Sequence, residues 1–229
     1  AREACTRFST PEKPRFVAGS IGPTTKAISV TGGVTFDQLI HHFGVQIQAL
    51  VDGGVDYLLL ETCQDTRNIK AALLSMDQVF EKLGARLPIA VSGTIEPMGT
   101  MLAGQSPEAL LTSLANRELL YIGLNCATGP EFMTDPIRSL ARMAPYAVAC
   151  VPNAGLPDEN GKYLETPEMV ANVVGRFAQN GWVNFVGGCC GTHSGHVKAL
   201  SEMVKNHKPR IPNATPRSAL SGIDYLEIT

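Results

Sequence analysis

The chain has 229 residues, of which 44% are hydrophobic and 17% are charged, and its formal net charge is −2. This length and hydrophobic content suffice for one large domain or two small ones, and the balanced, unclustered charge argues against nucleic-acid binding. The apolar runs are too short and too broken by glycine for a membrane span, and the polar start AREACTRFSTPEKPRF lacks the apolar core of a secretory signal, so we expect a cytoplasmic protein.

Six short apolar runs recur along the chain, and each is followed by a segment with a helical pattern. The runs are continuous rather than alternating, which is typical of strands buried on both faces of a parallel sheet. The residues before the first run resemble the end of a helix and its linker. The predicted strands are FVAGSIGP (16–23), YLLLET (57–62), IAVSGTI (89–95), YIGLNC (121–126), AVACVPN (147–153) and FVGGCC (185–190).

Helix boundaries are also marked in the sequence. Residues 69–83 carry apolar side chains at the spacing of an amphipathic helix, and Gly84 follows as a C-terminal cap. Thr35 begins a capping-box pattern. Ser106 and Thr166 each precede a proline and an acid, a combination that predicts a helix start.

The alternation of six βα units, each of about 30 residues, predicts an α/β fold with a parallel sheet. An open doubly wound sheet would carry a glycine-rich GxGxxG loop after its first strand, and GSIGPT (19–24) does not fit that pattern. We therefore predict a (βα)8 TIM barrel that is incomplete, because eight strands need roughly 250 residues. Either two strands lie hidden in the loops, or the chain is a piece of a longer barrel. The late first strand favours the second alternative.

Polar residues stand at the carboxyl ends of the predicted strands, where the active site of a barrel is built. Cys126 ends one run, and Cys189 and Cys190 end another, 63 residues later. On a barrel these three thiols would meet at the same mouth. The other candidate site residues at strand ends are Ser20, Glu61, Asn125 and Asn153.

The cysteine usage favours a metal over disulfides, since disulfide frameworks belong to short secreted chains. Three thiolates from two strand ends fit zinc, and the absence of a C-x2-C knuckle indicates an open fourth position rather than a closed structural site. Three anionic ligands make the metal a poor activator of water. They suit a fourth thiolate supplied by a substrate, which points to thiol alkylation.

Core packing is the alternative interpretation of each cysteine, because buried free cysteines behave as small hydrophobes. We expect core packing for Cys63 and Cys150, and it remains the alternative for the three candidate ligands. His193 and His196 follow the cysteine pair closely and are possible zinc ligands. With three cysteines already placed, we expect helix capping, loop packing or solvent exposure for both histidines.

Six segments resemble, in order, the homocysteine-binding domain of cobalamin-dependent methionine synthases. GGCCGT with an upstream NC is typical of the wider homocysteine S-methyltransferase family, and the tail SALSGIDYLEI resembles the start of a linker to a folate-binding domain. The resemblance implies a partial barrel domain over residues 1–210 and a linker over residues 211–229. The segments are GSIGPTTK, GGVDYLLLETCQDT, VSGTIEPMGTMLAGQS, IGLNCATGP, VPNAGLP and VGGCCGT.

The resemblance implies a catalytic zinc held by Cys126, Cys189 and Cys190, with the sulfur of homocysteine as the fourth ligand. The substrate thiolate then takes the methyl group of methylcobalamin, which is bound by another domain, and methionine results. The implied partners are homocysteine and the cobalamin- and folate-binding domains of a parent chain, with no nucleic acid and no membrane.

The resemblance also implies roles for the other candidates. Glu61 matches the glutamate that binds the substrate ammonium, although alone it fits a helix cap or a pair with Arg67 equally well. Ser20 is expected near the substrate carboxylate. Asn125 is expected at the substrate or as support for the turn before Cys126. Asn153 is expected to offer its amide oxygen to zinc or substrate.

Two alternatives to the cobalamin-dependent reaction remain open. A cobalamin-independent transfer from S-methylmethionine or betaine would use the same zinc chemistry, and a zinc-binding remnant would have no activity. The family barrel begins with an Asp-Gly-Gly strand and a second early strand, and this sequence contains neither. We therefore expect weak or absent activity of this chain alone and a tendency to associate through open strand edges.

Overall fold

The computed structural model describes residues 1–228 and places a six-stranded parallel sheet at the centre of the molecule. Each strand pairs with its neighbour in the chain, which is the strand order of a barrel wall. The predicted α/β architecture and incomplete TIM barrel are confirmed. The strands are β1 (Ala18–Ile21), β2 (Tyr57–Cys63), β3 (Ile89–Gly93), β4 (Tyr121–Asn125), β5 (Ala147–Val151) and β6 (Phe185–Val186).

Seven α-helices accompany these strands within the described residues, and the predicted caps are confirmed. Thr35 and Gln38 form the expected capping box, and the side chains of Ser106 and Thr166 each accept a hydrogen bond from the first helical turn. Gly84 ends its helix with φ 69°. The helices are α1 (Arg2–Phe8), α2 (Phe36–Asp52), α3 (Thr66–Leu83), α4 (Pro107–Ser113), α5 (Thr134–Met143), α6 (Pro167–Gln179) and α7 (Ser194–Val204).

The two faces of the sheet bury different side chains. The outer face packs apolar residues such as Leu60 and Ile122 against the helices. These strand and helix side chains together form the main core. The inner face carries a smaller cluster around Ala90, Tyr121 and Ala149. Because side chains alternate between the faces, each strand supplies both layers, which explains the continuous apolar runs.

The residues after α7 form a second, two-stranded sheet. The hairpin of β7 (Ala219–Ser221) and β8 (Tyr225–Glu227) is antiparallel and separate from the barrel wall. It lies against α4, where the backbone N–H of Ser106 donates to the carbonyl of Ile223 at 3.1 Å. Among residues 1–228, then, the alternative of two barrel strands hidden in loops is wrong. The domain boundary at residue 210 stays a prediction, and residue 229 lies outside the described residues.

Among the described helices, none combines the length and the apolar character that crossing a bilayer requires.

Candidate metal centre

The structure brings three cysteine sulfurs together at the carboxyl edge of the sheet. The Sγ atom of Cys190 lies 3.6 Å from that of Cys126 and 4.0 Å from that of Cys189. All three sulfurs lie within 4.8 Å of one another. Thiolates at about 2.3 Å from a tetrahedral zinc are about 3.8 Å apart, so this donor set fits zinc.

An unusual backbone turn places Cys126 in this cluster. Cys126 and Ala127 have φ values of 62° and 56°, in the left-handed region that non-glycine residues seldom adopt. The carbonyl of Cys126 accepts a hydrogen bond from the N–H of Thr128 at 2.7 Å, which closes the turn. Conformations of this kind are concentrated at functional sites, where the surrounding structure enforces them.

The glycine that directly follows the cysteine pair, Gly191, is required for steric reasons. Gly191 has φ 77°, and a Cβ atom on it would lie 2.2 Å from Cγ of Tyr163. The residues that follow β5 hold the loop from the other side. The N–H of Cys189 donates to the carbonyl of Pro152 at 2.8 Å, and the N–H of Cys190 donates to Oδ1 of Asn153 at 3.0 Å.

The surroundings of Cys189 keep its sulfur protonated in the absence of a cation. Loss of contact with water, and then the nearby sulfurs of Cys126 and Cys190, raise the pKa of Cys189 to about 12. The amide Nδ2 of Asn125 lies 3.9 Å from this sulfur and acts in the opposite direction. A bound cation reverses the balance, because it favours the thiolate.

Glu61 lies near the carboxyl end of β2, and its carboxylate is hydrogen-bonded to β1. Ser20 Oγ donates to Oε1 of Glu61 at 2.5 Å. Asp65, rather than Glu61, caps α3, and the ion pairs of the described residues include none between Glu61 and Arg67. Contact of Ser20 or Glu61 with a substrate stays a prediction.

Asn125 and Asn153 are both buried, with exposed fractions of 1% and 3%. Asn125 bonds to Thr62 through both atoms of its amide, while Asn153 accepts the N–H of Cys190. The predicted support of the Cys126 turn by Asn125 stays a prediction, because the Asn125 amide bonds to Thr62 and not to the turn itself. Contact of either asparagine with zinc or substrate stays a prediction.

Sequence reasoning missed Tyr163, and it placed Thr62 at the end of a predicted strand without assigning it a role. Loss of contact with water raises the pKa of the Tyr163 hydroxyl, and the nearby sulfurs of Cys190, Cys126 and Cys189 raise it further. The ring of Tyr163 covers Gly191. The surrounding stretch GKYLET carries no motif, so the sequence does not mark Tyr163, and the positive φ of Thr62 is not visible in the sequence either.

The histidines after the cysteine pair are engaged in capping α7. Nδ1 of His193 accepts the N–H of Gly195, and Nδ1 of His196 accepts the N–H of His193. Nε2 of His196 lies 2.9 Å from the carbonyl oxygen of Glu165. The expected capping role is therefore confirmed. Cys63 and Cys150 lie in the core as expected, with exposed fractions of 5% and 0%.

Comparisons with known proteins identify the fold and the family of this chain. Two solved structures of the homocysteine methyltransferase MmuM from Escherichia coli, in apo and metallated forms, superpose with TM-scores of 0.68 and 0.66 at 21% identity and cover 88% of this chain. The chain spans about two thirds of MmuM, 67% and 65% of the two chains, and at this identity the likeness shows a shared fold. The family model of homocysteine S-methyltransferases matches residues 1–204. The chain therefore belongs to the homocysteine S-methyltransferase family.

Proposed function

We propose that this chain carries the homocysteine site of a zinc-dependent methyltransferase that converts homocysteine to methionine. The observation that carries the proposal is the cluster of three cysteine sulfurs within 4.8 Å of one another, at the sheet edge where the carboxylate of Glu61 also lies. A zinc-holding cluster and a carboxylate match the two ends of an amino-acid thiol, its sulfur and its ammonium group.

Cys126, Cys189 and Cys190 would hold the zinc ion. When bound, zinc lowers the pKa of a substrate thiol and keeps it a nucleophilic thiolate at neutral pH. Two hydrogen bonds hold the cysteine ligands in place for the metal. Asn153 fixes the backbone of Cys190, and Asn125 donates toward the sulfur of Cys189. These outer contacts orient the ligand sulfurs before the substrate arrives.

Glu61 would bind the substrate ammonium group. Ser20 donates to one carboxylate oxygen, and this hydrogen bond holds the carboxylate in place at the carboxyl end of the sheet. A carboxylate and an ammonium form a charge-assisted hydrogen bond, which is stronger than a neutral one. In this arrangement Glu61 sets the orientation of the amino acid while the cysteine cluster receives its sulfur.

For the methyl donor we propose methylcobalamin, supplied by another domain of a longer protein. The support is the resemblance of GSIGPT, VPNAGLP and the tail SALSGIDYLEI to the cobalamin-dependent branch of the family. S-methylmethionine and betaine are the competing donors. The cysteine cluster would serve all three reactions, so it does not discriminate among them.

The zinc and homocysteine assignments are tested by metal analysis and calorimetry. We expect one zinc per chain in the unmodified protein and in Cys5→Ala, a matched control whose thiol lies on α1. Cys126→Ala and Cys190→Ala should lose the metal, and homocysteine should bind only to zinc-loaded protein. Tight zinc retention by both variants, or equal homocysteine binding without zinc, would refute the assignment.

The donor is tested by incubating the zinc-loaded chain at high concentration with homocysteine and each donor in turn. Methionine is then quantified by mass spectrometry. If methylcobalamin is the only one of the three donors that yields methionine, the proposal is supported. Methionine formed only with S-methylmethionine or betaine overturns the donor assignment and leaves the homocysteine site in place.

A further inference from the structure

A pair of side chains links two strands that are not neighbours in the sheet. The N–H of Thr62 on β2 donates to Oδ1 of Asn125 at 2.9 Å, and Nδ2 of Asn125 on β4 donates to Oγ1 of Thr62 at 2.8 Å. Strand β3 lies between β2 and β4. The Thr62–Asn125 pair therefore spans the carboxyl end of β3.

The backbone of Thr62 is strained where this pair forms. Thr62 has φ 57°, which is a genuine outlier for a β-branched residue, and the register of β2 against β3 shifts between Leu60 and Cys63. Such a conformation persists only when its surroundings enforce it. The two hydrogen bonds to Asn125 supply that constraint, and Thr94 Oγ1 in turn donates to the backbone carbonyl of Asn125 at 3.1 Å.

The same amide reaches both halves of the site. Asn125 directly precedes Cys126, and its Nδ2 atom lies 3.9 Å from Sγ of Cys189. Thr62 directly follows Glu61. The side chain of Asn125, with an exposed fraction of 1%, thus joins the residue that follows Glu61 to the sulfur cluster.

We propose that Thr62 and Asn125 are positioning residues that fix the span between Glu61 and the cysteine sulfurs, and thereby select amino-acid thiols by chain length. The inference rests on the proposed function, in which the ammonium group lies at Glu61 and the thiol at the sulfur cluster. If the distance between Glu61 and the sulfur cluster is fixed, the site accommodates homocysteine and disfavours cysteine, which is one methylene shorter. If that distance can vary, the site accepts both amino acids.

The test replaces Thr62 and compares two thiols on cobalt(II)-loaded protein. Thr62→Val keeps the branched shape and removes the hydroxyl acceptor, whereas Thr62→Ser keeps the hydroxyl. Thr6→Val is the control. Thr6 lies on α1, which is bonded to the residues before β2, at the amino ends of the strands and away from the cysteine cluster. Titrations with homocysteine and with cysteine are followed by the cobalt–thiolate charge-transfer band, which reports sulfur ligation without any turnover.

We expect the unmodified chain and Thr6→Val to bind homocysteine about tenfold or more tightly than cysteine. In Thr62→Val this ratio should fall by roughly threefold or more and should recover in Thr62→Ser, with the thiol-free cobalt band unchanged. Thr62→Gly should also lose selectivity. Because glycine relieves the positive φ, this variant gives the answer if Thr62→Val does not fold.

Two results would overturn the inference alone. One is a ratio of homocysteine to cysteine affinity that is unchanged in both Thr62→Val and Thr62→Gly. The other is loss of the thiol-free cobalt band in these variants, which would mean that the Thr62–Asn125 pair only supports the metal ligands. A different result bears on the proposed function. If neither thiol changes the cobalt band of the unmodified chain, the homocysteine site itself is refuted, and the inference falls with it.

Discussion

At the scale of single residues, the strand ends made part of the site visible in the sequence. Cys126, Cys189, Cys190 and Glu61 follow apolar runs, and parallel strands bring their carboxyl ends to one edge. Thr62 also ends a predicted strand, but its bond to Asn125 was not predictable. Its contribution depends on a positive φ and a partner 63 residues away, and neither leaves a local signal.

Gly191 provides a residue-scale prediction. Gly191→Ala would place a Cβ atom 2.2 Å from Cγ of Tyr163 at a φ of 77°, so the loop that carries the cysteine pair must shift. We expect zinc content to fall and the free energy of unfolding to drop by about 1–3 kcal/mol. Metal analysis and denaturant unfolding check this. Gly222→Ala, where a Cβ has open space, is the control, and equal behaviour of the two variants would count against the steric account.

At the scale of elements, helix caps were predicted well because they depend on residues three positions apart. The hairpin of β7 and β8 is not among the predicted elements, since the resemblance implies a linker over residues 211–229. Two long-range arrangements also left no sequence signal. One is the bidentate pair of Arg2 with Asp56, which ties α1 to the sheet. The other is the buried guanidinium of Arg210.

Asp56 should make the docking of α1 sensitive to acid. Hydrogen bonds from Arg2, and then from the N–H of Val17, hold the pKa of Asp56 below its usual value. The contribution to stability is therefore complete above about pH 4 and is lost as the pH falls through the lower folded pKa. Amide hydrogen exchange of α1 should accelerate relative to α3 as the pH falls below about 4, and Arg2→Ala should remove this extra acceleration. An identical pH profile in Arg2→Ala would contradict the account.

Arg210 should contribute to stability through backbone carbonyls at the end of α5. Its guanidinium donates to the carbonyls of Ala141, Ala144 and Tyr146, at 2.9, 2.6 and 2.9 Å, and the residue is 4% exposed. Arg210→Met should lower the free energy of unfolding by about 2–4 kcal/mol, because these contacts are lost in a buried setting. In the control Arg138→Met, which removes an exposed ion pair, the loss should stay below about 0.5 kcal/mol. Similar losses in the two variants would argue against the role of Arg210.

At the scale of the whole molecule, the repeat of strand and helix was enough to predict a barrel-like α/β fold with six strands. Within residues 1–228, β1 and β6 form the two edges of the sheet. Phe185 on β6 is 43% exposed and stacks on Tyr121 of the inner face at 5.2 Å. An exposed edge beside exposed apolar side chains favours pairing with another chain.

The open edge predicts self-association of the chain. Sedimentation velocity should show a concentration-dependent increase in mass, and Phe185→Ser should weaken it about tenfold, because an apolar contact at the edge is lost. Ile211→Ser, at an exposed residue outside the sheet, serves as the control and should behave like the unmodified chain. A chain that is monomeric at every concentration would contradict this prediction.

Zinc K-edge X-ray absorption with and without homocysteine tests the central claim most directly, because it counts the sulfur neighbours of the metal. We expect three sulfur neighbours in the zinc-loaded chain, supplied by Cys126, Cys189 and Cys190, and four after homocysteine is added. A sulfur count that homocysteine does not change, or a count below three before its addition, would contradict the account.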